Sequence, residues 1–279
     1  SVLDADDEAV IVMPLWKNLF GAVKLQQAVM RGVNLRETDN GWTLDLNELF
    51  AAVTPKTRAI VINSPNNPTG WMMSRADMQA VLDFARPRGI WIISDEVYSR
   101  IVYGGMTRAD SFLDVAHPDD RVFVVQSFSK NWSMTGWRLG WLTGPAAAEA
   151  RIYDLILYDN MGAPNFTQFG AMAALKHGED FLATQKKRFT QNLATVHDRL
   201  TKTGRIRMSR PDSAFYAFFR VEDEPDCMAF ARRLVDDVGL SLSPGCSFGS
   251  NVGGYMRLCF AVSESKLDEG LTRLEKALR

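Results

Sequence analysis

The feature that most constrains this chain is the alternation, as far as Thr143, of short apolar runs with segments of helical periodicity. Residues 58–63 and 90–94 predict buried strands, because these runs are short, apolar and bounded by turn formers. Residues 74–85 predict a helix with Ser74 as its N-cap. Strands that alternate with helices favour an α/β fold, in which a mostly parallel sheet is sandwiched by helices.

The remaining pattern predicts a second, smaller unit. After Gly204 the periodicity changes to short strands and two amphipathic helices, which is typical of a small α+β domain. We therefore expect a large domain over residues 1–190 and a small C-terminal domain over residues 191–279. The pattern also predicts a helix over residues 16–31 and a strand over residues 138–143.

Composition excludes several classes of function. The 32 basic and 33 acidic residues nearly cancel, so the chain has no charge signature of nucleic-acid or membrane-surface binding. No apolar run approaches the ~18–20 residues of a membrane-spanning helix. The three cysteines have no paired or metal-ligand spacing, which favours reduced thiols in a cytoplasmic protein. The three histidines lie outside every motif, which argues against a Ser-His-Asp hydrolase or a histidine zinc site.

One segment, S-F-S-K-N-W-S-M-T-G-W-R-L-G at residues 127–140, carries the strongest chemical signal. It places Lys130 at the end of a predicted buried strand, with Arg138 eight residues on. Apolar surroundings and a second cation both lower the pKa of a lysine, which makes its amine a nucleophile. Arg138 with the hydroxyls of Ser127 and Ser129 suits a phosphate. A nucleophilic amine beside a phosphate site suggests a Schiff base to pyridoxal phosphate.

Two further motifs follow predicted strands. S-P-N-N-P-T-G at residues 64–70 forms a sharp loop, because prolines and a glycine exclude a regular helix. I-W-I-I-S-D-E-V-Y at residues 90–98 brings Asp95 and Glu96 to the end of a buried strand, where at least one carboxylate needs a cationic partner. The carboxyl ends of parallel strands are where open α/β sheets bind ligands.

Together these motifs resemble the signatures of class I/II aminotransferases, which are pyridoxal-phosphate enzymes of fold type I. The resemblance implies that Lys130 carries the cofactor and later acts as general base, while Arg138 with Ser127 and Ser129 holds its phosphate. It also implies that Asp95 pairs with the pyridinium nitrogen. Asn67 and Tyr98 would then bind the phenolic oxygen of the cofactor.

Two more positions match the same family. Trp16 follows the predicted strand over residues 8–13, and the resemblance implies that it stacks on the cofactor ring and borders the substrate. Arg257 lies in the apolar run Y-M-R-L-C-F, where a buried guanidinium needs an anion. The resemblance assigns it to the substrate α-carboxylate, next to Asn67. No metal site is predicted.

The implied activity is transamination between an L-amino acid and a 2-oxo acid, in a homodimer. Compared with the family, the chain begins after an N-terminal portion that includes a turn cupping the phosphate. Three alternatives stay open at this point. One is another pyridoxal-phosphate reaction, such as C–S β-elimination or cyclopropane formation. Another is the aminotransferase-like effector domain of a transcription regulator, and the last is a catalytically inactive partner protein.

Overall fold

The computed structural model describes residues 2–279, and a six-stranded sheet forms its centre. In chain order its strands are β1 (Glu8–Met13), β2 (Val29–Asn34), β5 (Thr57–Asn63), β6 (Trp91–Asp95), β7 (Val122–Ser127) and β8 (Gly140–Thr143). A short hairpin of β3 (Arg36–Thr38) and β4 (Gly41–Thr43) follows β2. The strand order is β2-β1-β5-β6-β7-β8, and every pairing is parallel except that between β7 and β8. The predicted mostly parallel sheet is confirmed.

Both faces of the central strands are covered, which explains their sequence pattern. All six residues of β1 are buried, and six of the seven residues of β5 are buried as well. A strand covered on both faces has no polar side, so it is apolar throughout instead of alternating. Helix α3 (Arg75–Ala85) packs its apolar side on the sheet, and Ser74 caps it by accepting a hydrogen bond from Asp77 N at 3.1 Å. The predicted N-cap is therefore confirmed.

The prediction of one helix over residues 16–31 is wrong in its second half. Helix α1 spans Lys17–Leu25 and ends where Gln27 adopts a left-handed conformation, with φ 57°. The chain then enters β2 at the edge of the sheet, where five of the strand's six residues are at least partly exposed. The guanidinium of Arg31 pairs with the carboxylate of Glu8 on β1 at 2.6 Å. An exposed edge strand has no apolar run, so its sequence did not distinguish it from the end of a helix.

The strand predicted over residues 138–143 begins two residues later. Arg138 has φ 50° and ends a turn of 3₁₀ helix over Thr135–Trp137, so the strand starts at Gly140. Because β8 runs antiparallel to β7, it returns the chain along the edge of the sheet.

A smaller antiparallel sheet and its helices form the second layer. Its strands are β9 (Ile206–Arg207), β10 (Tyr216–Val221), β11 (Ser243–Pro244) and β12 (Tyr255–Cys259), in the order β11-β12-β10-β9. The remaining helices are α2 (Leu46–Ala51), α4 (Phe128–Asn131), α5 (Glu149–Asp159), α6 (Asn165–His177), α7 (Glu179–Thr201), α8 (Cys227–Val238) and α9 (Glu264–Ala277). The predicted α+β character of this region is confirmed.

Helix α7 connects the two parts of the fold. Its residues Phe189, Leu193 and Val196 belong to the same buried cluster as the apolar residues of β10 and β12. The predicted domain boundary after residue 190 lies inside this helix, and the division into two domains stays a prediction. Among residues 2–279, no helix combines the length and the apolar character needed to cross a membrane.

Candidate active site

Four parallel strands end at one edge of the large sheet, and a cavity of about 290 Å³ lies there. All nine residues predicted for the site from the sequence line this cavity: Trp16, Asn67, Asp95, Tyr98, Ser127, Ser129, Lys130, Arg138 and Arg257. They come from the ends of β1, β5, β6 and β7, from the turn before β8, and from β12 of the small sheet. The chain reverses its direction of strand addition between β1 and β5, which is the kind of crevice where open α/β sheets bind ligands.

Lys130 is presented by a single turn of helix directly after β7. Ser127 caps this turn by accepting a hydrogen bond from Ser129 N at 3.1 Å, and Phe128 is buried against Trp132 and Trp141. The amine is half-buried in the cavity, 6.0 Å from the centre of the Tyr98 ring.

Burial lowers the pKa of the Lys130 amine, because an ammonium ion loses hydration in the cavity. The negative forms of Cys259 and Asp95 act in the opposite direction, whereas the guanidinium groups of Arg138 and Arg257 lower the pKa further. A lowered pKa increases the fraction of neutral amine, which is the nucleophilic and basic form.

The two carboxylates at the end of β6 point in different directions. Asp95 lines the cavity, whereas Glu96 is buried in the core and accepts hydrogen bonds from Ser94 Oγ at 2.9 Å and Phe112 N at 3.0 Å. Asp95 accepts only a long hydrogen bond, 3.3 Å from Val97 N, and forms no ion pair within the described residues. Burial raises the pKa of the Asp95 carboxyl to about 6. Asp95 is therefore a carboxylate that lacks a cation.

The loop after β5 is fixed by buried amide side chains. Asn63 Oδ1 accepts a hydrogen bond from Asn67 N at 2.8 Å, and Asn66 Nδ2 donates to Pro14 O at 3.2 Å. Gly70 ends the loop with φ 73°, and a Cβ atom there would lie 2.4 Å from Pro211 Cβ. Only glycine combines this conformation with such a close approach of two chain segments.

Arg257 lies on β12 and faces the large sheet. It donates to Asn67 Oδ1 at 2.8 Å and to Ser243 Oγ at 3.1 Å. Its Nε is buried and has no hydrogen-bond partner within residues 2–279, and no carboxylate there pairs with the guanidinium. Burying a charged donor without a partner is costly, so this geometry indicates an anion site.

Aromatic rings surround this guanidinium. Its Cζ lies 4.3 Å from the centre of the Tyr216 ring, 4.8 Å from that of Phe248 and 5.9 Å from that of Trp16. Trp16 is 36% exposed and borders the cavity. Rings around a guanidinium favour the cation electrostatically while excluding water from it.

The basic and hydroxyl residues predicted to hold a phosphate lie together at the ends of β7 and β8. Ser127 uses its oxygen to cap the turn and also lies 3.4 Å from Leu139 O, while Ser129 is buried. Arg138 is exposed and donates to Thr135 O at 3.0 Å, which engages one of its guanidinium nitrogens. The remaining guanidinium donors are available to an anion.

Tyr98 and Tyr216 form a buried pair whose hydroxyl oxygens are 3.0 Å apart. Burial raises the pKa of both phenols, so both stay protonated near neutral pH. Tyr216 lines the cavity, as do Asn63 and Val97, and none of the three was predicted from the sequence. Asn63 could have been predicted as a site residue, because it ends the predicted strand. Tyr216 could not, because it lies in an apolar run that indicates only a buried strand.

Comparison with known proteins agrees with this geometry. The family described as aminotransferase class I and II matches residues 1–274. A probable aspartate/prephenate aminotransferase of Aquifex aeolicus is 35% identical over all of this chain and 71% of its own length. Aromatic-amino-acid aminotransferase 2 of Thermococcus litoralis is 32% identical over 99% of this chain and 71% of its own length.

Solved structures show the same similarity. The crystal structure of a PLP-dependent aminotransferase from Streptococcus suis superposes with a TM-score of 0.90 at 28% identity. That alignment covers 100% of this chain and 72% of the other.

The unpaired state of Asp95 predicts an effect of pH on stability in the protein without added ligand. The carboxyl has a pKa of about 6 when folded against a reference value of 3.8, so the native state binds its proton more tightly. The contribution of Asp95 to the free energy of unfolding should therefore fall as the pH rises from about 4 to 6. Asp95→Asn should remove this contribution, so that its stability relative to the wild type is greater at pH 7 than at pH 4 by up to roughly 3 kcal/mol.

Urea unfolding of both proteins at pH 4 and pH 7 measures this difference. Asp237→Asn, on the exposed face of α8, is the matched control and should keep the wild-type dependence of stability on pH. A stability difference between Asp95→Asn and the wild type that is the same at pH 4 and pH 7 would contradict this prediction.

Proposed function

Because the chain belongs to the class I and II aminotransferase family, we propose that the cavity at the ends of β1, β5, β6 and β7 is its active site. The enzyme is a pyridoxal-phosphate-dependent transaminase, which exchanges an amino group between an amino acid and a 2-oxo acid. The observation that carries the assignment of the site is the set of unpaired charges in one cavity. Within residues 2–279, Asp95 has no cation paired with it and Arg257 has no anion.

The residues of the cavity fit the cofactor. We assign the phosphate to Arg138, Ser127 and Ser129, and the ring nitrogen to Asp95. The side-chain amide of Asn67 uses its oxygen for Arg257, which leaves its NH₂ group free to donate to the phenolic oxygen of the cofactor. When bound, pyridoxal phosphate supplies an electron sink for the pair released at the substrate α-carbon.

Tyr98 and Trp16 complete these assignments. The Tyr98 hydroxyl is a buried donor, and we assign it to the same phenolic oxygen as Asn67. Trp16 is the ring at the mouth of the cavity, and we assign it to stacking on the cofactor and to bordering the substrate.

Lys130 has the properties required of the proton-transfer group. Its amine lies within the cavity, and its lowered pKa favours the neutral form, which can accept a proton from the substrate α-carbon. The same neutral amine is the nucleophile that we assign to covalent attachment of the cofactor.

Arg257 determines the class of substrate. Its planar guanidinium is oriented by Asn67 and Ser243, and its buried Nε has no partner within the described residues, as an α-carboxylate site requires. Both an amino acid and a 2-oxo acid carry that carboxylate, so one site serves both half-reactions. The relatives reported above are aminotransferases, which favours transamination over β-elimination, cyclopropane formation or a regulatory role.

We also propose a homodimer. The exposed face of helices α5 and α6 carries several large apolar side chains; Phe166 and Phe169 are 74% and 66% exposed, and Tyr158 is 90% exposed. Apolar patches of this kind on a folded chain are typical of protein–protein interfaces. We assign this face to a second copy of the chain. The cytoplasm is our proposed location, which the three free cysteines favour.

Lys130→Ala should reduce transamination by at least about 10³-fold, because it removes both the general base and the point of attachment. Addition of pyridoxal phosphate, reduction with borohydride and peptide mapping should find the adduct on Lys130 in the wild type. Lys276→Ala, on the exposed side of α9, should keep both activity and adduct. An adduct on another lysine would contradict the assignment.

Arg257→Ala should raise the KM for the amino acid about 10- to 100-fold, since a charged hydrogen-bonding partner of the carboxylate is lost. Arg257→Lys keeps the positive charge but lacks the planar guanidinium, so its KM should lie between those of the wild type and Arg257→Ala. Steady-state kinetics of the cofactor-saturated enzyme measure both. Arg220→Ala, an exposed arginine on the neighbouring strand, is the control, and an unchanged KM in Arg257→Ala would exclude the proposed role.

Sedimentation velocity tests the homodimer. The wild type should sediment as two chains, and Phe169→Asp should shift it toward one, because a carboxylate in an apolar interface loses its hydration. Val235→Asp makes the same kind of change on the exposed face of α8, away from α6, and should stay dimeric. A monomeric wild type would refute the proposal.

A further inference from the structure

Tyr216 lies between two residues of the site, although no role has been assigned to it so far. We propose that Tyr216 is a positioning residue, which directs the Tyr98 hydroxyl and the Arg257 guanidinium toward the cavity. The inference rests on the functions proposed above for Tyr98 and Arg257. It adds a third side chain on which both depend.

The first contact is between hydroxyl groups. The oxygens of Tyr216 and Tyr98 are 3.0 Å apart, and both side chains are buried. Each phenol has one proton to donate. When Tyr98 donates into the cavity, its oxygen is free to accept the proton of Tyr216. A hydroxyl that accepts a hydrogen bond is also a stronger donor, so Tyr216 both orients and strengthens the Tyr98 donor.

The second contact involves the ring. The Arg257 Cζ lies 4.3 Å from the centre of the Tyr216 ring, close enough for a cation–π interaction. Phe248 contributes a second ring at 4.8 Å. Rings offer no acceptor to the guanidinium, so they fix its plane while its N–H groups stay available to Asn67, Ser243 and an anion.

Strand register explains how one side chain reaches both groups. On the small sheet Phe218 lies opposite Arg257, and Tyr216 lies opposite Cys259. Tyr216 is therefore the diagonal neighbour of Arg257, a distance that an aromatic ring can span. Its hydroxyl extends further, to Tyr98 in the segment after β6 of the large sheet. Tyr216 thus connects a residue assigned to the cofactor with one assigned to the substrate.

Two substitutions separate the contribution of the Tyr216 hydroxyl from that of its ring. Tyr216→Phe keeps the ring and should raise the midpoint of the pH titration of the visible absorption of the cofactor-loaded protein by about 0.5–1 unit, a three- to tenfold change. Its Kd for maleate and for 3-phenylpropionate, two carboxylates without an α-amino group, should stay within about twofold of the wild type.

Tyr216→Leu removes the ring as well. It should raise the same midpoint and also weaken binding of the carboxylates by about three- to tenfold, through loss of the cation–π contact. Tyr103→Phe is the matched control, because Tyr103 is a buried tyrosine whose hydroxyl donates to Ala214 O outside the cavity. It should move neither readout.

Parallel measurements on Tyr98→Phe and Arg257→Lys distinguish the failure of this inference from that of the proposed function. Midpoint and Kd values that stay unmoved in those two variants would refute the proposed function and the inference with it. The role of Tyr216 alone would be overturned by a different result. In that case Tyr98→Phe and Arg257→Lys change the midpoint and the Kd values, whereas Tyr216→Phe leaves the midpoint unchanged and Tyr216→Leu leaves both Kd values unchanged.

Discussion

The parallel pairing of β1, β5, β6 and β7 is the constraint on which the rest of the structure depends. Because parallel strands end at the same edge of a sheet, residues far apart in the chain meet there. Burial on both faces makes the strands apolar, so polar groups are confined to the residues just beyond the strand ends. The position of the site therefore follows from the topology, and the motifs supply its chemistry.

The charged groups at that edge make the folded protein less stable than apolar residues at the same positions would. Burial favours the neutral forms of both Asp95 and Lys130, because it raises the pKa of the acid and lowers the pKa of the amine. The Arg257 guanidinium keeps a buried Nε donor that has no partner within residues 2–279. A fold tolerates such groups where a ligand completes them, which supports the proposal that cofactor and substrate supply the missing interactions.

The sequence predicted most of the fold and most of the residues that line the cavity, and Asp95 and Lys130 show why. Each follows an apolar run that only a buried strand explains, so the motif and the strand end are found together. The roles of these residues remain predictions. The first residues of edge strand β2 were assigned to the preceding helix, because exposure removes the apolar run of a buried strand. The end of α1 was placed too late, because it depends on the left-handed conformation of Gln27, and glutamine rarely adopts it.

Tyr216 could not be found in this way, because residues 216–219 of β10 are all buried and Tyr216 differs from Phe218 and Phe219 only by a hydroxyl. What sets it apart is its register against β12 and the packing of the small sheet on the large one. The hydroxyl contact joins Tyr98 and Tyr216, which are 118 residues apart in the chain. On the proposed role of Tyr216, the orientations of the Tyr98 hydroxyl and of the Arg257 guanidinium depend on how the small sheet packs on the large one, so a complete site requires both sheets to be folded.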